Sequence, residues 1–282
     1  MSSPLISVII PCHNSKPEEL EAAIRSMLCQ TYPNLEILVI DDHSENNLLE
    51  IVHPFLLKHP NIRFAQVPDD DPDRTFPNGV NINAGWQARN YGMSLARGEL
   101  ITFQDDDDGS CSNRLEFQYE MMKKFNVLHV NVDWQQYRDE YNCRRLDYRI
   151  SDQDIVTTKE ILALARQTRP KLFRHPFGKN EKNNRAEKIF RKINRKYFTD
   201  WRQYPCAASM PLFSKEVLTK CRFRQLYERT RPSKTGRGAD RDFNFWVAET
   251  FKSSIAIKIP LILWRVKNQN LLYSEEKYRP GI

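Results

Sequence analysis

Two hydrophobic periods alternate along the first 125 residues. LISVIIP at 5–11 is a continuous β-branched run closed by proline, the pattern of a strand buried on both faces. In PEELEAAIRSMLCQ, which follows, Leu20, Ile24, Met27 and Leu28 recur at helical spacing. LEILVIDD at 35–42 reads as a second buried strand, ending in two aspartates. A helical stretch at 46–58, a short strand IRFAQV at 62–67 and a helix at 84–97 come next. GELITF then leads into Asp105–Asp108, four consecutive carboxylates at the end of another buried strand.

Strands alternating with helices predict an α/β fold of right-handed βαβ units, with a mainly parallel, Rossmann-like sheet and helices on both faces. The second half is less regular. RLEFQYEMMKKF (114–125) predicts a helix and VLHVNVDW (127–134) a strand. Residues 207–221 predict a strand running into a helix, 239–253 a helix opened by acids, and 254–266 one or two strands. The pattern divides the chain into an α/β half (1–135), a basic, partly helical insertion (136–204) and a C-terminal segment (205–282).

Ligands of such sheets bind at the carboxyl ends of the strands. Three strands here end in polar or acidic residues at that edge: His13-Asn14, Asp41-Asp42 and Asp105–Asp108. Four adjacent carboxylates repel one another and call for a cation. The ordinary alternatives are an acidic turn capping the next helix and an Asx turn before Ser44.

Composition narrows the class. With 28% charged residues, a mean hydropathy of -0.65 and no apolar run near the roughly 20 residues of a membrane span, the chain is expected to be cytoplasmic. The six cysteines show no CxxC spacing, so reduced thiols are expected rather than a disulfide framework or zinc site. The net charge of +7 is unevenly placed: thirteen Lys and Arg lie between Arg166 and Arg202, opposed by three acids.

Five pieces, in order, resemble the motifs of family-2 glycosyltransferases of the GT-A fold: ISVIIPCHN, VIDDHS, ARNYGMSLARGELITFQDDDD, GADRDF and LILWRVKNQNLL. The likeness covers 1–125 and, less closely, 205–272; 140–202 do not match and 68–83 stand as an insertion. His13 replaces the family's usual aromatic, Ala239 the acid of its Glu-Asp pair, and Lys267 its histidine.

The resemblance implies an inverting, metal-dependent transfer of a sugar from a nucleotide-sugar, expected to carry UDP, to a hydroxyl of a glycan or lipid-linked acceptor in polysaccharide synthesis. It assigns Asp105-Asp106-Asp107 as the DxD. Asp107 would ligate Mn²⁺ or Mg²⁺ with Asp105, which would also contact ribose or a metal-bound water. Asp106 is counted with the nucleotide site although its side chain is expected to point away, and Asp108 supports from behind. Pro11, His13, Asn14 and Arg89 would line the donor site, with Asn90 a weaker candidate. Asp42, or else Asp41, would accept from the uracil N3–H. Arg265 and Lys267 would face the diphosphate. The general base is Asp240 in one register and Asp242 in the other; a capping role is the alternative for both.

In RAEKIFRKINRKYF, Ala186, Ile189, Phe190, Ile193 and Tyr197 share one helical face among basic residues, so 181–198 suits an anionic membrane surface as well as a solvated helix. Peripheral attachment is therefore part of the expectation. A nucleotidyltransferase of similar plan would need a Gly-rich phosphate loop after the first strand, and PCHNSKPEE offers none. A nucleic-acid-binding module would leave the acidic strand ends unexplained, since they repel phosphates. No nucleic acid partner is expected.

Overall fold

The computed structural model describes residues 3–72, 74–75, 83–137, 143–168, 203–231 and 238–266. The basic tract 181–198, Lys267 and the tail beyond it lie outside the described residues.

The predicted βαβ succession is present. Strand β1 (Ile6–Cys12) is buried at all seven positions, as its two-sided apolar run requires. Helix α1 (Pro17–Leu28) opens on proline at its first turn, where the missing N–H costs nothing, and buries Leu20, Ala23, Ile24 and Met27. Leu20, Ile24 and Met27 each contribute about 1.5–3 kcal/mol when fully buried. Strand β2 (Leu35–Asp41), α2 (Leu48–Lys58), β3 (Ile62–Gln66), α3 (Trp86–Leu95) and β4 (Leu100–Phe103) follow. β1 pairs in parallel with both β2 and β4, and β2 with β3. Helix α3 lies close on this layer because Gly92 faces it. A Cβ there would stand 2.5 Å from the Ile9 Cγ2 and 3.1 Å from the Ile40 Cγ1.

Beyond β4 the chain forms β5 (Gly109–Ser110), α4 (Arg114–Phe125), β6 (His129–Tyr137), β7 (Ile155–Val156), α5 (Thr158–Gln167), β8 (Leu212–Ser214), α6 (Ala239–Phe251) and β9 (Ser254–Arg265). One nine-stranded sheet results, ordered β3-β2-β1-β4-β8-β6-β9-β5 with β7 on β9. The sheet is parallel through its first four strands. β8 runs antiparallel to both β4 and β6, and β9 is again parallel to β6. Both halves of the chain thus supply strands to a single sheet, and the described part of the insertion packs β7 onto β9 and α5 against α6.

Two expectations are corrected. The helix after β8 is a 3₁₀ stretch, Lys215–Thr219. Cys29 and Cys143 are joined, their Cα atoms 5.6 Å apart, rather than both being free thiols. Their separation of 114 residues hides the pair from any spacing rule. The segment after Cys143 returns along α4: Ser112 N–H donates to the Arg144 carbonyl at 2.8 Å, and Tyr148 meets Phe117 edge to face.

Candidate active site

The carboxyl ends of β1, β2 and β4 open onto a cavity of about 450 Å³. Asp42, Arg74 and His13 stand among its lining, as do Arg89 with the acids Asp105, Asp106 and Asp107, and Ser209 with Asp240. Residues from seven separate stretches of the chain meet there.

At the β1–β2 end, Asp42 is almost fully buried and paired with Arg74, whose Nη2 and Nη1 donate to its two oxygens at 2.9 and 3.2 Å. The same guanidinium donates to Asp70 at 2.7 Å. These two partners hold the Arg74 charge firmly against the burial that opposes it. His13 Nδ1 lies 2.8 Å from the Asp42 carbonyl, and Pro11 forms the neighbouring wall. Asp41 turns away: it accepts from Ser44 N–H at 3.0 Å and from Gln66 Nε2 at 3.2 Å, the Asx-turn role. Asn14, at φ 53°, ties the two loops together by accepting from Glu45 N–H and donating its own N–H to Ser44 Oγ, and it does not line the cavity.

In the centre, Arg89 projects from α3 to Asp105 at 2.7 Å and to the Ala84 carbonyl at 2.8 Å. Its approach depends on Gly85, at φ 66°, where a Cβ would lie 2.5 Å from the Arg89 Nη1. Asn90 instead clamps Phe223 through both its amide atoms. Ser15 donates to Asp106, and Asp108 accepts from the Arg265 N–H at 3.0 Å. Burial, then the charge of Asp107, pushes the Asp106 carboxyl up to about 7. Asp108 is raised by the same causes; Asp105 is raised by burial against the opposing pull of Arg89. Four carboxylates crowded at one turn, one of them paired with Arg89, fit a bound divalent cation. Among the described residues no three His, Cys, Asp or Glu side chains converge to cage a metal alone. A hard cation that takes one or two carboxylates and fills its shell with phosphate oxygens and water needs no such cage.

The two acids opening α6 differ sharply. Asp240 is half-buried and faces the cavity. Asp242 is wholly buried and is not among the lining residues. Its carboxylate accepts from Arg224 Nε at 2.7 Å, Thr230 Oγ at 3.1 Å and Arg231 N–H at 2.9 Å. That geometry sets the Asp242 carboxylate in the interior, among these three donors. Arg241, between the two acids, donates to the Arg231 carbonyl. Arg265 is not among the lining residues; its guanidinium lies over the Tyr137 ring at 5.3 Å.

Sequence reasoning missed Arg74 and Ser209. Arg74 lies in the 68–83 insertion, where DDDPDR offered one cation among four acids, Asp69, Asp70, Asp71 and Asp73. Ser209 had no signal beyond the small-residue run AAS.

Comparison with known proteins agrees with this architecture. Residues 7–75 match the family model described as glycosyl transferase family 2. An uncharacterized glycosyltransferase of Haemophilus influenzae is 31% identical over 128 residues, 45% of this chain and 46% of that protein. The Escherichia coli UDP-Glc:alpha-D-GlcNAc-diphosphoundecaprenol beta-1,3-glucosyltransferase WfgD is 33% identical over 127 residues, 45% of this chain and 44% of its own. The chain thus matches less than half the length of these relatives. Among solved structures, S. aureus TarS in complex with UDP superposes with a TM-score of 0.56 at 16% identity, over 93% of this chain and 60% of that one. A Pyrobaculum calidifontis mannosyltransferase in complex with GDP-Man and Mn²⁺ gives 0.54 at 15% identity, over 95% and 59%. At such identities the likeness establishes the fold, and the GT-A expectation is borne out.

Proposed function

We propose, from the match of residues 7–75 to the glycosyl transferase family 2 model, that the chain is a metal-dependent, inverting glycosyltransferase. It takes a UDP-sugar as donor and the hydroxyl of a glycan or lipid-linked acceptor as nucleophile, in polysaccharide synthesis. The WfgD relative, whose name records a UDP-Glc donor and a diphosphoundecaprenol acceptor, supports that substrate class. The observation that carries the reading is the meeting of Asp105, Asp106, Asp107 and Asp240 in one cavity whose other end holds Asp42 and Arg74.

The uracil sits between Pro11 and His13, with its N3–H and carbonyls facing the Asp42–Arg74 pair. Asp107 and Asp105 would hold the cation. Mn²⁺ or Mg²⁺ held there would supply positive charge against the departing diphosphate. Arg89 fixes Asp105 in place. Asp240, at the N-terminus of α6, accepts the proton of the attacking hydroxyl. Asp242 holds the 224–231 loop against that terminus and so positions Asp240.

Calorimetry of UDP with Mn²⁺ or with chelator tests the reading. UDP is expected to bind tightly only with the cation, and Asp107→Ala to abolish the difference. Equal affinity in both conditions removes the metal role.

A further inference from the structure

The carboxyl ends of β6 and β9 carry an aromatic pair that the donor site leaves unused. Trp134 and Trp264 meet edge to face, with ring centroids 5.2 Å apart and planes at 81°. Along β6 the chain passes from four buried residues, His129–Val132, to half-buried Trp134 and exposed Gln136. Trp134 packs against the core, and both rings stay half-buried.

The strand sense places it on the catalytic rim. β8 is antiparallel to both β4 and β6, so β6 and β9 end at the same edge as β1, β2 and β4. In the sheet order they lie on the opposite side of β4 from β1 and β2, where Asp42 and Arg74 stand. Bulges then re-aim the strand ends. While β6 advances from Val132 to Trp134, its β9 partner advances from Ile257 to Ile262. The re-aimed end is fastened to the acidic turn: Leu263 pairs with Gly109, and Arg265 N–H donates to Asp108 at 3.0 Å.

We propose that Trp134 and Trp264 form the platform on which a pyranose ring of the acceptor stacks, an inference that rests on the glycosyl-transfer reading above. A pyranose presents a face of C–H groups and a rim of hydroxyls. An indole face is electron-rich and favours the former, and Gln136, which pairs with Trp264 across the strands, supplies an exposed amide for the latter. Stacking tolerates changes of hydroxyl pattern, so the platform selects for a sugar and its orientation more than for one sugar.

The test uses the full chain with Mn²⁺ and UDP, probed by methyl and octyl glycosides of glucose, galactose, N-acetylglucosamine, N-acetylgalactosamine and mannose, and by 1-octanol. Tryptophan fluorescence and transfer to the octyl glycosides are the readouts. At least one methyl glycoside is expected to change the fluorescence, and Trp264→Ala to raise the acceptor KM by about tenfold or more. Trp264→Phe, which keeps a ring, should stay near the parent value, and UDP–Mn²⁺ affinity should be unchanged in both. An unchanged acceptor KM in Trp134→Ala and Trp264→Ala, or no response to any glycoside, overturns the platform while UDP–Mn²⁺ binding still stands. A response to 1-octanol equal to that of the octyl glycosides also overturns it, because the pair then holds a lipid chain. Failure of the parent chain to bind UDP with Mn²⁺ overturns the transfer reading itself.

Discussion

Arg74 grips Asp42 through two guanidinium nitrogens, at 2.9 and 3.2 Å, with the carboxylate almost completely removed from water. Removing Arg74 strands the buried Asp42 carboxylate, at about 3–5 kcal/mol, whereas removing Asp42 leaves Arg74 its pair with Asp70. Arg74→Ala is expected to lower the melting temperature and to weaken uridine binding as Asp42→Asn does. The double variant should lose less than the sum of the two, since both act through one pair. Additive losses, measured by uridine titration, would mean that the two residues act separately.

Asp240 and Asp242 should fail in different ways. Asp240→Asn is expected to cut transfer by about 10²–10⁴ while leaving UDP–metal affinity and melting temperature nearly unchanged. Asp242→Ala takes the acceptor from three donors, the Arg224 Nε and the buried Arg231 N–H among them, and should melt several degrees lower. Parallel thermal melts and single-turnover rates separate the two. A dead but fully stable Asp242→Asn, beside an active Asp240→Asn, would reverse the assignment.

Asp106 and His129 pull stability in opposite directions with pH. The folded Asp106 carboxyl titrates at about 7, raised by burial and by Asp107, against about 3.9 in an unfolded chain. The folded state therefore holds a proton that the unfolded state has lost, and stability falls as pH rises through that window. His129 is drawn down to about 4 by burial, against about 6.5 when unfolded. There the unfolded state holds the extra proton, so stability falls as pH drops from about 6.5 to about 4. In chelator, Asp106→Asn is expected to raise the melting temperature at about pH 8 more than at about pH 4, and His129→Gln to remove part of the acid-side loss. Melting curves across that range with identical shifts at both ends would contradict the burial of Asp106.

The parts legible in the sequence were those fixed locally. The two-sided apolar runs at Ile6–Cys12 and Leu35–Asp41 could pack only as interior strands, and the acids after Phe103 had to fall at a strand end. The rest depended on contacts between distant segments. Asp41 and Asp42 are neighbours, and only the return of Arg74 across the sheet end shows which one faces the cavity. Asp240 and Asp242 are two residues apart on a helix, and the 224–231 loop decides which is enclosed. The joined Cys29 and Cys143, and the meeting of Trp134 with Trp264, are likewise products of topology.

The bulged stretch of β9 works as a joint. Below it, Ser254–Ile257 keeps an unbroken ladder with β6; above it, Ile262–Arg265 travels as one piece with Trp264 and the backbone that reaches Asp108. A residue gained or lost between Lys258 and Leu261 would swing that piece without disturbing the parallel layer that holds Asp42 and Asp105. Evolution, or a protein engineer, can therefore retune what is offered on one side of the rim while the machinery on the other side stays as it is.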